Sequence, residues 1–346
     1  MMEAEPEPVI LSGNRRFQRS VPPRKTYSND SLRYAIHVDG YKPDNNVGNI
    51  IAIVGNGVRP HMDLPLVTKL AIADDMACGV THQGGGWHDT CVAGIIAANN
   101  SSGSGIIGLG VVSELLSFDV SSNGFGGLSQ KKIAAAIEHA LVHAAKKNSA
   151  PIVINLSIAT DPDQPLDKSL EAALNMAGHY DNAMIVMAAG NNGVDLAEHP
   201  VWPAAIQRDG DRRNMIVVET RKYDGRTTDG GTNFSRRVVD LAAPAPQYDP
   251  IVSTSCGPST RGCISTEYET FSATSAATAV VSGAVSLVWS DPRFSKYSAP
   301  ELKQLLLRHA RSPADLGCPS NTALDGVPML NLAFLYDDAD ASSGSD

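Results

Sequence analysis

Three residues of complementary chemistry stand at the predicted edges of secondary-structure elements. His88 follows the glycines at 84–86 and precedes an apolar, helix-like run, Ser275 opens a predicted helix of small residues, and Asn191 follows an apolar run in "MAAGNNG". Each has an ordinary structural explanation, as a capping or solvent-facing histidine, a helix cap and a turn asparagine. Together, a serine nucleophile, a histidine base and an amide that donates to an oxyanion would form a set for acyl transfer.

The composition narrows the class of protein that could use such a set. The chain has 346 residues, of which 42% are hydrophobic and 19% charged, as expected for a globular protein with a large core. A net charge of −9 argues against nucleic acid or an anionic membrane as partner. The basic cluster at 15–25 is interpreted as a solvated arm, and no stretch predicts a clean membrane span.

The N-terminus and the cysteines bear on where the protein works. "MMEAEPEPVIL" carries acidic residues and prolines where a secretory signal would carry basic residues and an apolar core, so no signal peptide is expected in this chain. The location stays open, and is secreted or vesicular if the chain is part of a longer precursor. Five cysteines are too few for a disulfide-built scaffold. Cys256 and Cys263 could close a short loop in an oxidising compartment, and free thiols are the alternative.

Strand-like and helix-like segments alternate from residue 49 onward, between an N-terminal tail at 1–45 and a disordered C-terminal tail at 336–346. Apolar runs predict strands at 49–55, 113–120, 151–158, 183–190 and 214–220. Helical spacing predicts helices at 129–147, 166–180, 274–289 and 298–310, with Ser129 and Ser298 as caps. This alternation within 46–335 is typical of an α/β domain with a parallel sheet covered on both faces. Because chemistry collects at the carboxyl ends of such strands, 55–56, 157 and 190–191 are candidate positions.

Several segments, taken in order, resemble those of the subtilisin-like serine proteases. "HDTCVAGIIAANN" resembles their HGTHVAG segment, "INLSIA" is similar to INLSLG, and "MAAGNNG" is similar to AAGNxG. "NFS", "DLAAPA" and "SATSAATAVVSGAVSL" then look like FS, APG and GTSMATPHVAGAAAL. The resemblance covers residues 48 to 310 and implies the three-layer, subtilisin-like α/β fold, with a mainly parallel sheet and helices on both faces.

The resemblance also implies a role for each matched residue. His88 would be the general base, Ser275 the nucleophile that forms an acyl-enzyme, and Asn191 the oxyanion donor. Ser157, Ile158 and Ala159 would line the groove, where a peptide binds by strand addition. The implied partner is a peptide or protein substrate, the chain is expected to be a monomer, and the chemistry requires no cofactor.

One departure from the family pattern affects the catalytic set directly. The family's first motif is an apolar strand that ends in Asp, whereas "IAIVGNGVRPHMDL" has Gly55 at that position, or Asn56 if the register slips by one. Loss of the carboxylate that orients the histidine lowers kcat by about 10⁴-fold in enzymes with this triad. The sequence therefore predicts a weakly active endopeptidase, with an inactive, peptide-binding pseudoprotease as the alternative. If a fluorophosphonate probe modifies Ser275, which would show that the serine is activated, Gly55→Asp is expected to raise turnover sharply.

Three other aspartates are candidates for the missing carboxylate. Asp74 and Asp75 precede His88 in the chain and could fold back toward it. Asp89 stands where the family has glycine, but neighbours on a helix point about 100° apart, so it is expected to reach the His88 ring poorly and to obstruct the substrate. Two other departures are Cys91 for the family's second histidine and Ala279 for its proline. The second is mild, since alanine suits a helix.

A structural calcium ion is a further expectation that comes only from the resemblance. The loop "NNSSGSGI" at 99–106 and Asp63 are similar to segments that bind the ion in the family. The loop differs in length and has few charged oxygens, so a plain surface loop is the alternative. No metal is expected in the chemistry itself.

Overall fold

The computed structural model describes residues 9–11, 29–41, 47–70, 86–122, 127–209, 212–226, 231–256, 264–317 and 326–337. Within these ranges the strands are β1 (Val9–Leu11), β2 (Asn49–Gly55), β3 (Val67–Lys69), β4 (Val112–Asp119), β5 (Gly127–Ser129), β6 (Ile152–Leu156), β7 (Ala159–Thr160), β8 (Ala183–Ala188), β9 (Met215–Arg221), β10 (Leu241–Pro244), β11 (Ile251–Ser255) and β12 (Glu267–Phe271). The α-helices there are α1 (Asp30–Ala35), α2 (Trp87–Ala97), α3 (Gln130–Lys146), α4 (Lys168–Ala177), α5 (Ala273–Trp289) and α6 (Ala299–His309).

The main sheet of the described residues has seven strands in the order β10-β9-β8-β6-β2-β4-β3. All neighbouring pairs are parallel. All seven residues of β2 are buried, which explains why this strand is a continuous apolar run in the sequence. The predicted three-layer α/β fold is confirmed. The predicted strand at 49–55 coincides with β2, and the other predicted elements end within three residues of the observed bounds.

Helices cover both faces of the sheet, and each face has its own core. One core contains buried residues of α2, α5 and α6, and the other contains those of α3 and α4. Helix α2 approaches β11 so closely that a Cβ on Gly94 would lie 2.3 Å from the Ser253 hydroxyl. The Thr254 hydroxyl donates to the carbonyl of Thr90 over 2.7 Å. These contacts hold the first turn of α2, which carries His88.

The segment predicted as an N-terminal tail contains structure that packs on the domain. Helix α1 buries Leu32 and Ala35, and β1 pairs antiparallel with β5 on one side and with β7 on the other. Elements of six and three residues are too short to produce a periodic pattern, so the sequence gives no signal for them. Residues 338–346 of the predicted C-terminal tail lie outside the described residues. Among the described helices, none combines the length and apolarity that a bilayer crossing requires.

Candidate active site

The end of β6 and the start of α5 are tied together by two hydrogen bonds. The Ser157 hydroxyl donates to the backbone carbonyl of Ser275 over 3.0 Å, and the Ser275 hydroxyl donates to the backbone carbonyl of Ser157 over 3.2 Å. Ala273, which precedes the serine by two residues, has a positive φ of 68° and turns the chain into the helix. The carboxyl edge of the sheet thus holds the serine at a helix N-terminus, where backbone amides favour a developing negative charge.

The ring of His88 lies beside the entry to α5. Its centroid is 5.3 Å from that of Phe271, four residues before Ser275, and 5.8 Å from that of Trp87. His88 and Ser275 are 2% and 5% exposed. The Nε2 atom of His88 is buried and has no hydrogen-bond partner among the described residues. The sequence predicts that His88 accepts the serine proton, but in this arrangement the hydroxyl of Ser275 donates to the carbonyl of Ser157.

Asp89 contacts the other side of the same ring. The Nδ1 atom of His88 lies 2.9 Å from Oδ1 of Asp89, and the backbone N–H of Gly57 donates to Oδ2 of Asp89 over 2.8 Å. The expectation that Asp89 reaches the ring poorly is therefore wrong. Side chains on a helix lean toward its N-terminus, and in the first turn no earlier turn of the helix occupies that space. The side chains of His88 and Asp89 can therefore meet there, although neighbours on a helix point about 100° apart.

Gly55 leaves the space that the Asp89 carboxylate occupies. A Cβ on Gly55 would lie 2.6 Å from each oxygen of Asp89. Asn56, the alternative occupant of the family's aspartate position, is directed elsewhere, since its Nδ2 donates to the Ser121 hydroxyl over 3.2 Å. Asp74 and Asp75 lie outside the described residues. The carboxylate that the structure places on His88 is therefore that of Asp89.

Thr274, the residue before Ser275, holds the side chain of Asn191 next to the serine. The Oδ1 of Asn191 accepts the backbone N–H of Thr274 over 3.1 Å and the Thr274 hydroxyl over 2.9 Å. With Oδ1 occupied in this way, the Nδ2 group is the end of the amide that can donate to an oxyanion. The position therefore suits the predicted role of Asn191, which lies near the start of the loop that follows β8.

A second asparagine, which the sequence analysis did not single out, braces that loop. Asn233 is fully buried, its Nδ2 donates to the Ala189 carbonyl, and its Oδ1 accepts the N–H groups of Asn192 and Val194. The sequence signal for Asn233 was its place in "NFS", a segment that looks like one of the family's. Its amide carries no charge and no reactive group, so it did not stand out as a functional residue. Its role is structural, because three main-chain partners of the loop depend on one side chain.

We expect Asn191→Ala to lower kcat for peptide hydrolysis by about 10²- to 10³-fold, with KM little changed, since the lost donor acts on charge that develops in the transition state. Steady-state kinetics on a chromogenic peptide measure both constants. The neighbouring Asn192→Ala is the matched control, because Asn192 is exposed and is held through its backbone N–H. Full kcat in Asn191→Ala would contradict the predicted role of the amide.

Ala159, one of the three predicted groove residues, pairs with β1. Leu11 is opposite Ala159 and Gly127, and Ile10 is opposite Thr160 and Leu128. The backbone of β1 thus pairs with Ala159, the last residue of "INLSIA", at one end of the segment where strand addition is predicted. Ile158 belongs to the core under α3 and α4, so its backbone, and not its side chain, is available to the groove. The assignment of Ser157, Ile158 and Ala159 as substrate-binding residues stays a prediction.

The loop at 99–106 offers poor ligands for the predicted calcium ion. Both oxygens of the buried Asp63 carboxylate are used, one by the Ser102 N–H and the other by the Tyr268 hydroxyl. The side-chain oxygens of Asn99 and Asn100 accept from Ser101 and Gly105. Burial alone would raise the pKa of Asp63, but these hydrogen bonds hold it below its usual range. In the described part of the chain no group of three or more metal-binding side chains occurs, and the loop oxygens do not fit the ion.

The cysteines near the site are buried thiols. Cys91 and Cys256 are both free, and burial raises the pKa of each thiol above its usual value. A thiol with a raised pKa is a poor nucleophile at neutral pH. Cys263, the other member of the predicted loop pair, lies outside the described residues. The substitutions Cys91 and Ala279 both lie in the core with α2 and α5, where small apolar side chains fit.

The fold and the placement of serine, histidine and asparagine define a protein of the subtilisin-like class. The chain belongs to the subtilase family, whose model matches residues 48–334. Thermitase of Thermoactinomyces vulgaris is 29% identical over 249 residues, which cover 71% of this chain and 76% of thermitase. Mycosin-3 of Mycobacterium tuberculosis is 33% identical over 156 residues, which cover 42% of this chain and 33% of the mycosin. The matches to mycosin-3 and to the mycosin-1 proteins of Mycolicibacterium smegmatis and Mycobacterium tuberculosis span between 33% and 47% of the length of these relatives.

Solved structures show the same fold. A psychrophilic protease, S41, superposes with a TM-score of 0.68 at 20% identity, covering 90% of this chain and all of the other. The MycP3 protease of the type VII (ESX-3) secretion system superposes with a TM-score of 0.61 at 23% identity, covering 96% of this chain and 93% of the other.

Proposed function

We propose that this chain is a serine endopeptidase that hydrolyses extended peptides through an acyl-enzyme on Ser275. The observation that carries the proposal is the position of β1 as the central strand between β5 and β7. A peptide in that place has main-chain hydrogen bonds on both edges. Since β1 is antiparallel to β7, its C-terminal direction leads from Ala159 toward Ser157, whose carbonyl accepts the Ser275 hydroxyl.

Peptide binding and activation of the serine are coupled through the carbonyl of Ser157. An incoming peptide that extends the β7 ladder offers an N–H to this carbonyl, in competition with the Ser275 hydroxyl. Once released, the hydroxyl can rotate about one side-chain bond toward the unpartnered Nε2 of His88. The nucleophile is then activated when a peptide occupies the groove.

The reaction that these residues support is acyl transfer in two steps. The Oγ of Ser275 bonds to the peptide carbonyl carbon while its proton passes to Nε2 of His88, and the oxyanion takes hydrogen bonds from Asn191 and from the N-terminus of α5. His88 then gives the proton to the amine as the carbon–nitrogen bond breaks. Water, deprotonated by His88, attacks the ester and releases the second peptide together with the free serine.

The experiment that tests the proposal combines a fluorophosphonate probe with peptide hydrolysis. An activated Ser275 displaces fluoride from phosphorus, so we expect a time-dependent adduct that mass spectrometry locates at Ser275 and that Ser275→Ala abolishes. Unlabelled protein that still binds an extended peptide would overturn the proposal in favour of the pseudoprotease alternative. A folded protein that neither binds peptides nor reacts with the probe would overturn both the endopeptidase proposal and the pseudoprotease alternative.

Removal of β1 is expected to strengthen the binding of an added peptide in the groove. A strand tethered to the domain competes at an effective concentration in the millimolar range, so deletion of residues 1–11 should lower the apparent KM for an extended peptide by about 10-fold or more. The value of kcat should stay within about twofold. Deletion of residues 1–8, which retains Val9–Leu11, is the matched control. An equal effect of both deletions would show that β1 does not occupy the substrate position.

A further inference from the structure

Two positions that face each other at this site have exchanged residue types relative to the family pattern. The strand that should end in aspartate ends in Gly55, and the residue after the histidine, where the family has glycine, is Asp89. The two positions are 34 residues apart in the chain, but a Cβ on Gly55 would lie 2.6 Å from both carboxylate oxygens of Asp89. The carboxylate therefore fills the volume that a side chain on the strand would need.

We propose that Asp89 supplies the carboxylate that orients His88 and stabilises its protonated form, from helix α2 instead of strand β2. This inference rests on the proposed function. It identifies Asp89 as a positioning residue, since it acts on substrate only through the histidine. The departure at Gly55 then means that the carboxylate has moved to another position, not that it is missing. The missing carboxylate was the reason to expect a weak enzyme, and that reason no longer holds.

The hydrogen bonds of Asp89 meet the requirements of that role. One oxygen lies 2.9 Å from Nδ1 of His88 and the other accepts the N–H of Gly57 over 2.8 Å, so the carboxylate cannot rotate away without losing a partner. An ionised carboxylate only accepts hydrogen bonds, and Nδ1 therefore carries the proton. The tautomer fixed in this way leaves Nε2 as an acceptor, which a general base needs.

Burial adds to the effect of this geometry. The side chains of His88 and Asp89 are 3% and 2% exposed. Because water screens the pair little, the carboxylate acts strongly on a charge that forms on the imidazole during the reaction. No such charge stabilisation comes from Asn56, whose amide bonds to Ser121.

Three variants of the full chain test the inference. Asp89→Asn keeps the shape but puts an amide on Nδ1, and should lower kcat by about 10⁴-fold with KM within about threefold of the parent. Asp89→Gly should cause a loss of similar size. The double variant Gly55→Asp, Asp89→Gly moves the carboxylate to the strand and should recover kcat to within about 10-fold of the parent. Asp119→Asn is the control, since Asp119 pairs with Gly55 across the β2–β4 ladder but bonds to Ser121.

A spectroscopic measurement separates positioning from a general effect on folding. The proton on Nδ1 of His88 should give a downfield imidazole N–H resonance that disappears in Asp89→Asn and Asp89→Gly and returns in the double variant. Thermal unfolding of each variant confirms that the chain is folded. Full turnover and an unchanged resonance in Asp89→Asn would overturn the inference and leave the proposed function intact. A parent protein that is folded and does not react with fluorophosphonate would overturn both.

Discussion

Ser275→Ala should lower kcat for peptide hydrolysis by about 10⁶-fold, and His88→Ala should lower it by a similar factor. The two side chains act as one unit, because the serine hydroxyl attacks only as His88 takes its proton, and His88 has no acyl-enzyme to hydrolyse unless the serine has attacked. In a subtilisin, removal of either residue costs about as much as removal of the whole triad. The double variant should therefore be no slower than each single variant.

The measurement is kcat per mole of folded protein for the three variants on one extended peptide. Ser272→Ala is the matched control, since Ser272 lies three residues before the nucleophile and its side chain makes no capping hydrogen bond; its kcat should stay within about threefold of the parent. Turnover retained in Ser275→Ala would show that another group attacks the peptide. Losses that multiply in the double variant would show that the serine and the histidine act independently.

Gly55→Asp alone should lower both stability and turnover, the reverse of the effect that the sequence predicts. The new Cβ would lie 2.6 Å from both oxygens of Asp89, a distance that forces the existing carboxylate to move. A second carboxylate in the same buried space adds repulsion between like charges and a desolvation penalty. We expect a loss of about 3 kcal/mol or more in the free energy of unfolding and a fall in kcat of about 10²-fold or more.

Urea unfolding and steady-state kinetics measure the two effects. Gly55→Ala separates their causes, because it adds the crowded Cβ without a charge and should lie between the parent and Gly55→Asp in stability. In a chain that also carries Asp89→Gly, the substitution Gly55→Asp should no longer cause this loss of stability and turnover. A rise in turnover for Gly55→Asp in the presence of Asp89 would show that the space at this edge of the sheet is not filled by the existing carboxylate.

Much of the fold and part of the site can be predicted from the sequence. The strand ending at Gly55 and the helix after His88 follow from long apolar runs, since a residue buried on both sides must be apolar wherever it stands. His88, Asn191 and Ser275 were found because each reactive side chain lies at the boundary of such a run. The short elements β1 and α1 gave no signal, and Asn233 gave little, because a bracing amide has no distinctive spacing.

The partner of His88 shows what only the tertiary structure decided. Local geometry along a helix predicts that adjacent side chains diverge, which argued against Asp89 and in favour of a missing carboxylate. What reverses that conclusion is the space beside Gly55, the last residue of β2, and the N–H of Gly57, two residues beyond it. Both lie more than thirty residues earlier in the chain than Asp89.

From the sequence by itself, the resemblance implied the class of the protein, and the apolar runs and reactive residue types, which are local properties, predicted its layers and the three residues proposed for the chemistry. The tertiary structure decided which carboxylate contacts the histidine, where β1 lies and how the oxygens near the predicted calcium loop are hydrogen-bonded. Those features depend on distances between groups far apart in the chain. Distances of that kind arise only when the strands and helices pack together.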